Sequence, residues 1–220
     1  MRIGIIADVH GDASALRDAL AQLHRLSCDF LVCAGDLLDY GRDPDEAVAL
    51  IRESRFPCVR GNHDYWAVED QQLFAPETLA YLSALPPAWN TIVDGVLIAV
   101  RHGSAKDCMD GIYPNQEDAG DLREDLARAD ADVLIVGHTH LLFSIEGPAG
   151  LIVNPGALLR DASPVGYNTT VLYDHTQRKM VRTPCRGAGG TFGVLELPSK
   201  RFTVHLASDG SEVEIIRKVL

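Results

Sequence analysis

The stretch Arg60-Gly61-Asn62-His63-Asp64 ends a short apolar run, Phe56 to Val59, and its residue types are those of a ligand-binding turn. It places the amide oxygen of Asn62 beside the imidazole of His63, and Gly61 opens the turn without a steric cost because glycine has no Cβ. A stretch this short is not specific when it stands alone. Its weight comes from four other polar clusters, each of which also follows an apolar run.

These four clusters contribute carboxylates and imidazoles at the ends of apolar runs. They are Asp8-Val9-His10, Gly35-Asp36-Leu37-Leu38-Asp39, His102-Gly103 and Gly137-His138-Thr139-His140. Oxygen and imidazole donors without thiolates suit divalent first-row metals such as manganese, iron, nickel or zinc better than they suit a structural zinc site. Together the five clusters supply a full ligand set for two metal ions.

The first part of the chain alternates the patterns of buried strands and helices. Continuous apolar runs predict strands at Ile3 to Ala7, Phe30 to Ala34 and Phe56 to Val59. Helical spacing and N-terminal signals predict helices at Ala13 to Leu26 and Pro44 to Ile51. Because ligands of open α/β sheets bind beyond the carboxyl ends of the strands, we expect the polar clusters to share one pocket.

The later part of the chain is typical of hairpins and short strands. Asp94-Gly95 is a strong hairpin signal between Trp89 to Val93 and Val96 to Val100. Helices are predicted at Asp64 to Ser83 and at Glu117 to Ala129. Further strands are predicted at Val133 to Val136, Leu151 to Val153, Thr169 to Tyr173, Phe192 to Leu197, Phe202 to Leu206 and Val213 to Ile216. We therefore expect parallel pairing early in the chain and antiparallel strands at the sheet edges.

Composition restricts the class of protein. With 220 residues and 46% hydrophobic content, the chain is expected to form one soluble domain, residues 1–220, in which residues 167–220 are a β-rich C-terminal part. A net charge of -11 and an isoelectric point near 5.1 disfavour binding to nucleic-acid backbones or anionic lipid. The five cysteines lack Cys-x-x-Cys spacing, and the apolar pattern predicts neither an export signal nor a membrane span. These features predict reduced thiols and a cytoplasmic location.

The donor types also determine the charge of such a centre. Two divalent ions carry four positive charges, of which Asp8, Asp36 and a bridging hydroxide cancel three. Asn62 and neutral histidines fill coordination positions without cancelling the remainder. A net positive pocket of this kind suits an anionic substrate such as a phosphate group.

In this order, the five clusters resemble the signature of the calcineurin-like metallophosphoesterases: Asp-x-His, Gly-Asp-x-x-Asp, Gly-Asn-His-Asp/Glu, a later His, and Gly-His-x-His. The resemblance covers Ile3 to His140, with the turn Asn154-Pro155-Gly156 just beyond it. It implies an α/β fold, a four-layer α/β/β/α sandwich of two mixed β-sheets flanked by helices, with the metal site at the carboxyl ends of strands. The chain is similar in size to the small, single-domain, phosphodiesterase-like members.

The resemblance also implies a role for each donor. The first metal would be held by Asp8, His10 and His140, the second by Asn62, His102 and His138, with Asp36 bridging the two. Manganese is the expected ion, with iron, nickel or zinc as alternatives. A hydroxide between the metals would attack the phosphorus of a phosphodiester or phosphomonoester. His63 would be the general acid rather than a ligand, with Asp39 orienting it.

Some positions have two readings. Asp39 either orients His63 or only caps the turn, and Arg60 is either a phosphate contact or a surface cation. Arg101 precedes His102, so its charge must point away from the metals or contact phosphate. Ser/Thr protein phosphatases carry Asp-Arg-Gly where Asp39-Tyr40-Gly41 stands here, so their phosphate-binding arginine is absent at that position.

The expected partner is a small phosphate ester, with nucleotides among the candidates, rather than an extended nucleic acid or a membrane. Two other functions compete with phosphoesterase activity. A non-catalytic scaffold with the same fold would show no turnover in the presence of manganese. A metal-dependent hydrolase of carboxylic esters or amides would act on those substrates and not on phosphate esters. The presence of His63 and of all seven expected ligands favours the phosphoesterase.

Overall fold

A computed structural model describes residues 1–69, 74–114, 119–160, 169–174, 179–184 and 190–220. The helices are α1 (Ala13–Arg25), α2 (Pro44–Ser54), α3 (Asn62–Glu69), α4 (Pro76–Ala84) and α5 (Ala119–Ala129). The first seven strands are β1 (Arg2–Ile6), β2 (Phe30–Cys33), β3 (Ala88–Val93), β4 (Val96–Arg101), β5 (Val133–Ile135), β6 (Leu142–Gly147) and β7 (Gly150–Pro155). The others are β8 (Thr169–Asp174), β9 (Lys179–Pro184), β10 (Thr191–Glu196), β11 (Arg201–Leu206), β12 (Glu212–Val213) and β13 (Ile216–Val219).

The strands form two mixed sheets and one separate hairpin. A five-stranded sheet has the order β12-β11-β10-β1-β2, a six-stranded sheet has the order β13-β6-β7-β5-β4-β3, and β8 pairs with β9 alone. β1 and β2 are parallel, as are β4, β5 and β7, whereas β10 to β12 and β3 pair antiparallel with their neighbours. β6 is antiparallel to β7 and parallel to β13. Parallel pairing early in the chain is therefore confirmed. The prediction of antiparallel edges holds for β12 and β3 but is wrong for β2 and β13, which pair parallel with β1 and β6.

Three apolar clusters hold the layers together. On β1, Ile3 and Ile5 belong to the cluster between the two sheets, whereas Ile6 packs with Leu16 and Leu23 of α1. The third cluster joins the outer face of the six-stranded sheet to α5 through residues such as Leu126. The alternation along β1 arises because successive strand residues point to opposite faces. The predicted four-layer α/β/β/α sandwich is therefore confirmed.

Some local predictions differ from the structure. Phe56 to Val59 makes only an isolated parallel bridge, between Cys58 and Cys33, instead of a strand. The predicted helix Asp64 to Ser83 consists of α3 and α4, and residues 70–73 within it lie outside the described residues. Val213 to Ile216 divides between β12 and β13, which belong to different sheets. β6 was not predicted, because its apolar run is short and directly follows the cluster ending at His140.

The C-terminal residues contribute to both sheets. β10 pairs antiparallel with β1, and β13 pairs parallel with β6. Within the predicted β-rich part, residues 167–168, 175–178 and 185–189 lie outside the described residues, and the single-domain organisation stays a prediction. Cys28, Cys33, Cys58 and Cys108 are free thiols, as expected, and Cys185 lies outside the described residues. Among the described helices, none combines the length and the apolar character that crossing a bilayer requires.

Candidate metal centre

Backbone hydrogen bonds join the loop after β1, which carries Asp8 and His10, to the loop after β2, which carries Asp36. The backbone N–H of Asp8 donates to the carbonyl of Gly35 at 3.0 Å, and that of His10 donates to the carbonyl of Asp36 at 3.0 Å. Asp8, His10 and Asp36 all have a positive φ, of 52°, 47° and 55° respectively. Side chains with a Cβ seldom adopt this region, and such strain concentrates at functional sites. The paired loops thus hold these donors in a conformation that neither loop favours by itself.

One donor group consists of Asp8, His10 and His140, whose ligand atoms all lie within 4.8 Å of one another. The Nε2 atoms of His10 and His140 are 3.0 Å apart, and Nε2 of His140 is 3.4 Å from Oδ1 of Asp8. Asp8 and His10 are fully buried. The structure therefore brings together the three residues predicted to hold the first metal.

A second donor group consists of Asp36, His102 and His138, again within 4.8 Å of one another. Oδ1 of Asn62 lies 2.8 Å from Nε2 of His102 and 2.8 Å from Nδ1 of His138, so Asn62 belongs to the same group. Oδ2 of Asp36 lies 3.1 Å from Nε2 of His102 and 3.9 Å from Nε2 of His10. Asp36 is the residue that reaches both groups, which is the position expected of a bridging ligand.

The electrostatics of the pocket favour bound cations. Burial raises the pKa of Asp36, but the neighbouring imidazole of His102 outweighs it, so the pKa lies below the usual range and the carboxyl is ionised. Burial lowers the pKa of His10 to about 4, which leaves its imidazole neutral and able to coordinate. Burial opposes a charge on His102 too, yet Asp36 raises its pKa to about 10. Without a cation, the Asp36 carboxylate thus favours a proton on His102; a bound divalent ion would supply that positive charge instead and leave the imidazole neutral. The donor set therefore fits two divalent ions.

His63 lies beside this centre and is held by Asp39. Nδ1 of His63 is 2.9 Å from Oδ2 of Asp39, and its backbone N–H donates to Oδ1 of Asp36 at 2.9 Å. Because Asp39 engages Nδ1, Nε2 is the ring atom left to exchange a proton with a substrate. The side chain of His63 is 14% exposed, whereas those of His10 and Asp36 are buried. His63 therefore lies at the solvent side of the centre, and its role as the acid stays a prediction.

Asp64 is a residue of the site to which the sequence assigned no role. Its buried carboxylate accepts backbone N–H groups from Asp36 at 3.0 Å, Leu37 at 2.7 Å and Gly61 at 2.9 Å. These bonds fasten the loop of Asp36 to the turn of Asn62. Gly61 is required there, because a Cβ would clash with Oδ1 of Asp36. The signal in the sequence is its position, since Asp64 is the acidic residue that ends the signature Gly-Asn-His-Asp/Glu.

Removing this carboxylate should destabilise the fold. We expect Asp64→Ala to lower the free energy of unfolding by about 3 to 5 kcal/mol, because it leaves several buried N–H groups without an acceptor. Asp64→Asn should cost less, since its amide oxygen still accepts. Urea denaturation measures the free energy of unfolding of both variants.

Asp45 is a matched control. Among the bonds of the described residues, its carboxylate accepts only the exposed N–H of Ala75, so Asp45→Ala should lower the free energy of unfolding by less than about 1 kcal/mol. An equal cost for the Asp64→Ala and Asp45→Ala variants would contradict this role.

Asn154 stabilises the turn that carries His138 and His140. Its Nδ2 donates to the carbonyl of Gly137 at 2.7 Å and to Oγ1 of Thr139 at 3.1 Å. Its Oδ1 accepts the N–H of Gly156 at 2.8 Å. These bonds give Asn154 a structural role at the metal centre.

Arg101 and Arg60, for which the sequence left two roles possible, make contacts away from the donor atoms. Arg101 donates to Oδ1 of Asn90 at 2.7 Å and to the carbonyl of Val100 at 2.8 Å, so its charge is directed toward β3 and away from the candidate ligands. The guanidinium of Arg60 lies over the ring of Tyr65, 5.4 Å from its centre. A phosphate contact by Arg60 stays a prediction.

Comparison with known proteins places this centre in a family. An uncharacterized protein of Methanocaldococcus jannaschii is 25% identical over 178 residues, 72% of this chain and 70% of that protein. Serine/threonine-protein phosphatase 1 of Salmonella typhimurium is 38% identical over 68 residues, which are 30% of this chain and only 32% of the phosphatase. The crystal structure of a metallophosphoesterase from Sphaerobacter thermophilus has a TM-score of 0.67 and 25% identity, covering 98% of this chain and 90% of that chain.

The profile of the calcineurin-like phosphoesterase superfamily domain matches residues 1–178, which include every donor of the centre. The resemblance that the five sequence clusters indicated is thereby confirmed. This protein belongs to the calcineurin-like phosphoesterase superfamily.

Proposed function

We propose that the protein is a phosphoesterase that hydrolyses small phosphomonoesters or phosphodiesters with two divalent metal ions, manganese being the first choice. The observation that supports this most directly is the position of Asp36, whose carboxylate reaches the donors of both groups. One carboxylate shared between two sets of imidazoles suits a pair of ions, which would need a common ligand. Asp8, His10 and His140 would hold one ion, and Asn62, His102 and His138 the other.

In this proposal, different residues of the chain have separate roles in the reaction at phosphorus. Two bound divalent ions supply an activated water and positive charge for the phosphate oxygens. Asp36 fixes the spacing of the two donor groups. His63, with Nδ1 on Asp39, gives a proton from Nε2 to the departing oxygen. Asp64 keeps the Asp36 loop and the Asn62 turn in register, so that these groups act together.

The non-catalytic scaffold is less well supported. A protein that only assembles with partners needs neither a complete donor set nor an oriented proton donor. Here Asp8 and Asp36 are two fully buried carboxylates close together, an arrangement that is costly unless pairing with cations or a bound metal compensates it. The bond between Asp39 and His63 is a further feature that an assembly role does not require.

Metal dependence of turnover tests the proposal. Protein freed of metal with EDTA should be inactive on bis-p-nitrophenyl phosphate and p-nitrophenyl phosphate, and added Mn²⁺ should restore hydrolysis of at least one ester. Zn²⁺, Ni²⁺ and Fe²⁺ in parallel reactions identify the preferred ion. Restored hydrolysis of p-nitrophenyl acetate without any phosphate ester turnover would indicate the carboxylic ester hydrolase instead. Absence of turnover on every ester, with two metal ions bound per chain, would favour the scaffold.

A further inference from the structure

Two half-exposed aromatic rings contact His63 where the metal centre meets solvent. Tyr40, in the loop after β2, is 46% exposed, and Trp66, on α3, is 47% exposed. Their ring centres lie 5.2 Å and 5.0 Å from the imidazole centre of His63. The ring of Tyr40 also lies 4.9 Å from that of His10. A group that leaves phosphorus beside His63 would therefore meet two uncharged aromatic surfaces.

The backbone holds Tyr40 firmly at this place. Asp39 and Tyr40 have φ values of 81° and 61°, a region that residues with a Cβ seldom occupy. The N–H of Gly41 donates to the carbonyl of His10 at 2.6 Å, and a Cβ on Gly41 would clash with that carbonyl. The loop that orients His63 through Asp39 thus also fixes the backbone from which Tyr40 projects, and the Tyr40 ring contacts His10 and His63. A large apolar ring kept at the surface in an unfavourable conformation suggests a function for the ring.

We propose that Tyr40 and Trp66 form a subsite for a nucleobase on the leaving-group side of phosphorus, so that the substrates are nucleotides. This inference rests on the proposed function, because it names the substrate class of the same centre. Aromatic side chains stack on nucleobases of any sequence, since every base has a π-face. The net charge of -11 disfavours a long nucleic-acid strand, so the fitting ligand is a mononucleotide or another small nucleoside ester.

A matched pair of substrates tests the subsite by kinetics. Adenosine 5′-monophosphate and ribose 5-phosphate have the same reacting bond, and only the first carries a base. We expect Mn²⁺-loaded protein to show a kcat/KM about 10-fold higher for adenosine 5′-monophosphate. Trp66→Ala and Tyr40→Leu should each reduce that preference by about 5- to 10-fold, with ribose 5-phosphate hydrolysis changed much less. Equal kcat/KM values, or a preference that neither substitution alters, would overturn the proposal.

Tyr65 provides a control on the same helix. It is adjacent to Trp66 and 42% exposed, but its ring lies against Arg60. Tyr65→Ala should leave the ratio of the two kcat/KM values unchanged, since both substrates carry the phosphate that Arg60 would contact. A loss of preference in the Tyr65→Ala variant equal to that in Trp66→Ala would show a general effect of surface aromatics and overturn the assignment.

Fluorescence gives a readout that does not depend on turnover. The chain has two tryptophans, and Trp89 packs against Phe30 away from the centre, with ring centres 5.6 Å apart. In a Trp89→Phe variant, the emission reports on Trp66 alone. Adenosine should quench this emission in a saturable way, and ribose at the same concentration should not. If no phosphate ester is hydrolysed, the proposed function fails, yet this titration still decides the subsite: an emission that adenosine leaves unchanged would overturn it.

Discussion

Asp36→Ala is expected to abolish phosphate ester hydrolysis, with a loss of at least about 10³-fold in kcat, and to reduce bound metal from about two ions per chain to one or fewer. The physical reason is the position of this carboxylate between the two donor groups. Its Oδ2 lies 3.1 Å from Nε2 of His102 and 3.9 Å from Nε2 of His10, so its removal takes a ligand and a negative charge from both groups. Steady-state kinetics and metal analysis after gel filtration measure the two losses.

The Asp36→Asn variant distinguishes the effect of the negative charge from the effect of the side-chain shape. Its amide oxygen can still accept the N–H of His63, as Oδ1 of Asp36 does at 2.9 Å, but it carries no charge. We expect this variant to fold like the parent protein and to lose metal nearly as fully as Asp36→Ala. Asp29→Ala is the control, because Asp29 is exposed and accepts the N–H of Arg2 far from the centre. An active Asp36→Ala variant with two bound ions would refute the bridging role.

The sequence indicated the seven candidate donors because their clusters follow apolar runs and match a family signature. The ends of parallel strands meet at one edge of a sheet, so Asp8 and Asp36 had to lie near each other once β1 and β2 were paired. The order of the five clusters along the chain matched the signature of the family, which assigned a role to each donor. All seven predicted ligands lie in the two donor groups that the structure brings together.

Other features depend on contacts between residues distant in sequence. The positive φ of Asp8, His10 and Asp36 is imposed by hydrogen bonds between two loops, which no local pattern reveals. Asp64 has the ordinary appearance of an acidic residue in a first helical turn, and its function arises only when the Asp36 loop folds over it. The same holds for Tyr40, whose ring contacts His10 and His63, residues that lie far from it in the sequence or on another element.

The sheet to which a strand belongs also depends on contacts between residues distant in sequence. Val213 to Ile216 has the composition of one continuous strand, yet β12 pairs with β11 and β13 pairs with β6. The chain changes sheets between them, and strand composition alone does not indicate which partner a residue will find. Local pattern thus predicts that a segment is extended, and tertiary pairing decides the sheet to which it belongs.

His63→Ala is expected to retain both metal ions and to lose about 10²- to 10⁴-fold in kcat/KM on esters with an alkoxide leaving group. On a p-nitrophenyl ester the loss should stay below about 10-fold, because nitrophenolate departs without needing a proton. The physical basis is the bond from Nδ1 to Asp39, which leaves Nε2 to act on the leaving oxygen. Comparing methyl and p-nitrophenyl esters of the same phosphate measures the difference.

Metal content separates the acid role from a ligand role for this histidine. A ring nitrogen of His63 lies within 4.8 Å of the ligand atoms of His10 and Asp36, so a ligand at this position would also be geometrically reasonable. A ligand role predicts fewer bound ions and equal losses on both esters, whereas an acid role predicts full metal content and unequal losses.

Asp39→Asn should also reduce kcat/KM more on the alkoxide ester, by about 10-fold, than on the p-nitrophenyl ester, because it weakens the orientation of the His63 ring without removing the ring. His24→Ala, an exposed substitution in the last turn of α1, should change neither ester. Equal losses from His63→Ala on the two esters, with both metals present, would remove the case for proton donation by this residue.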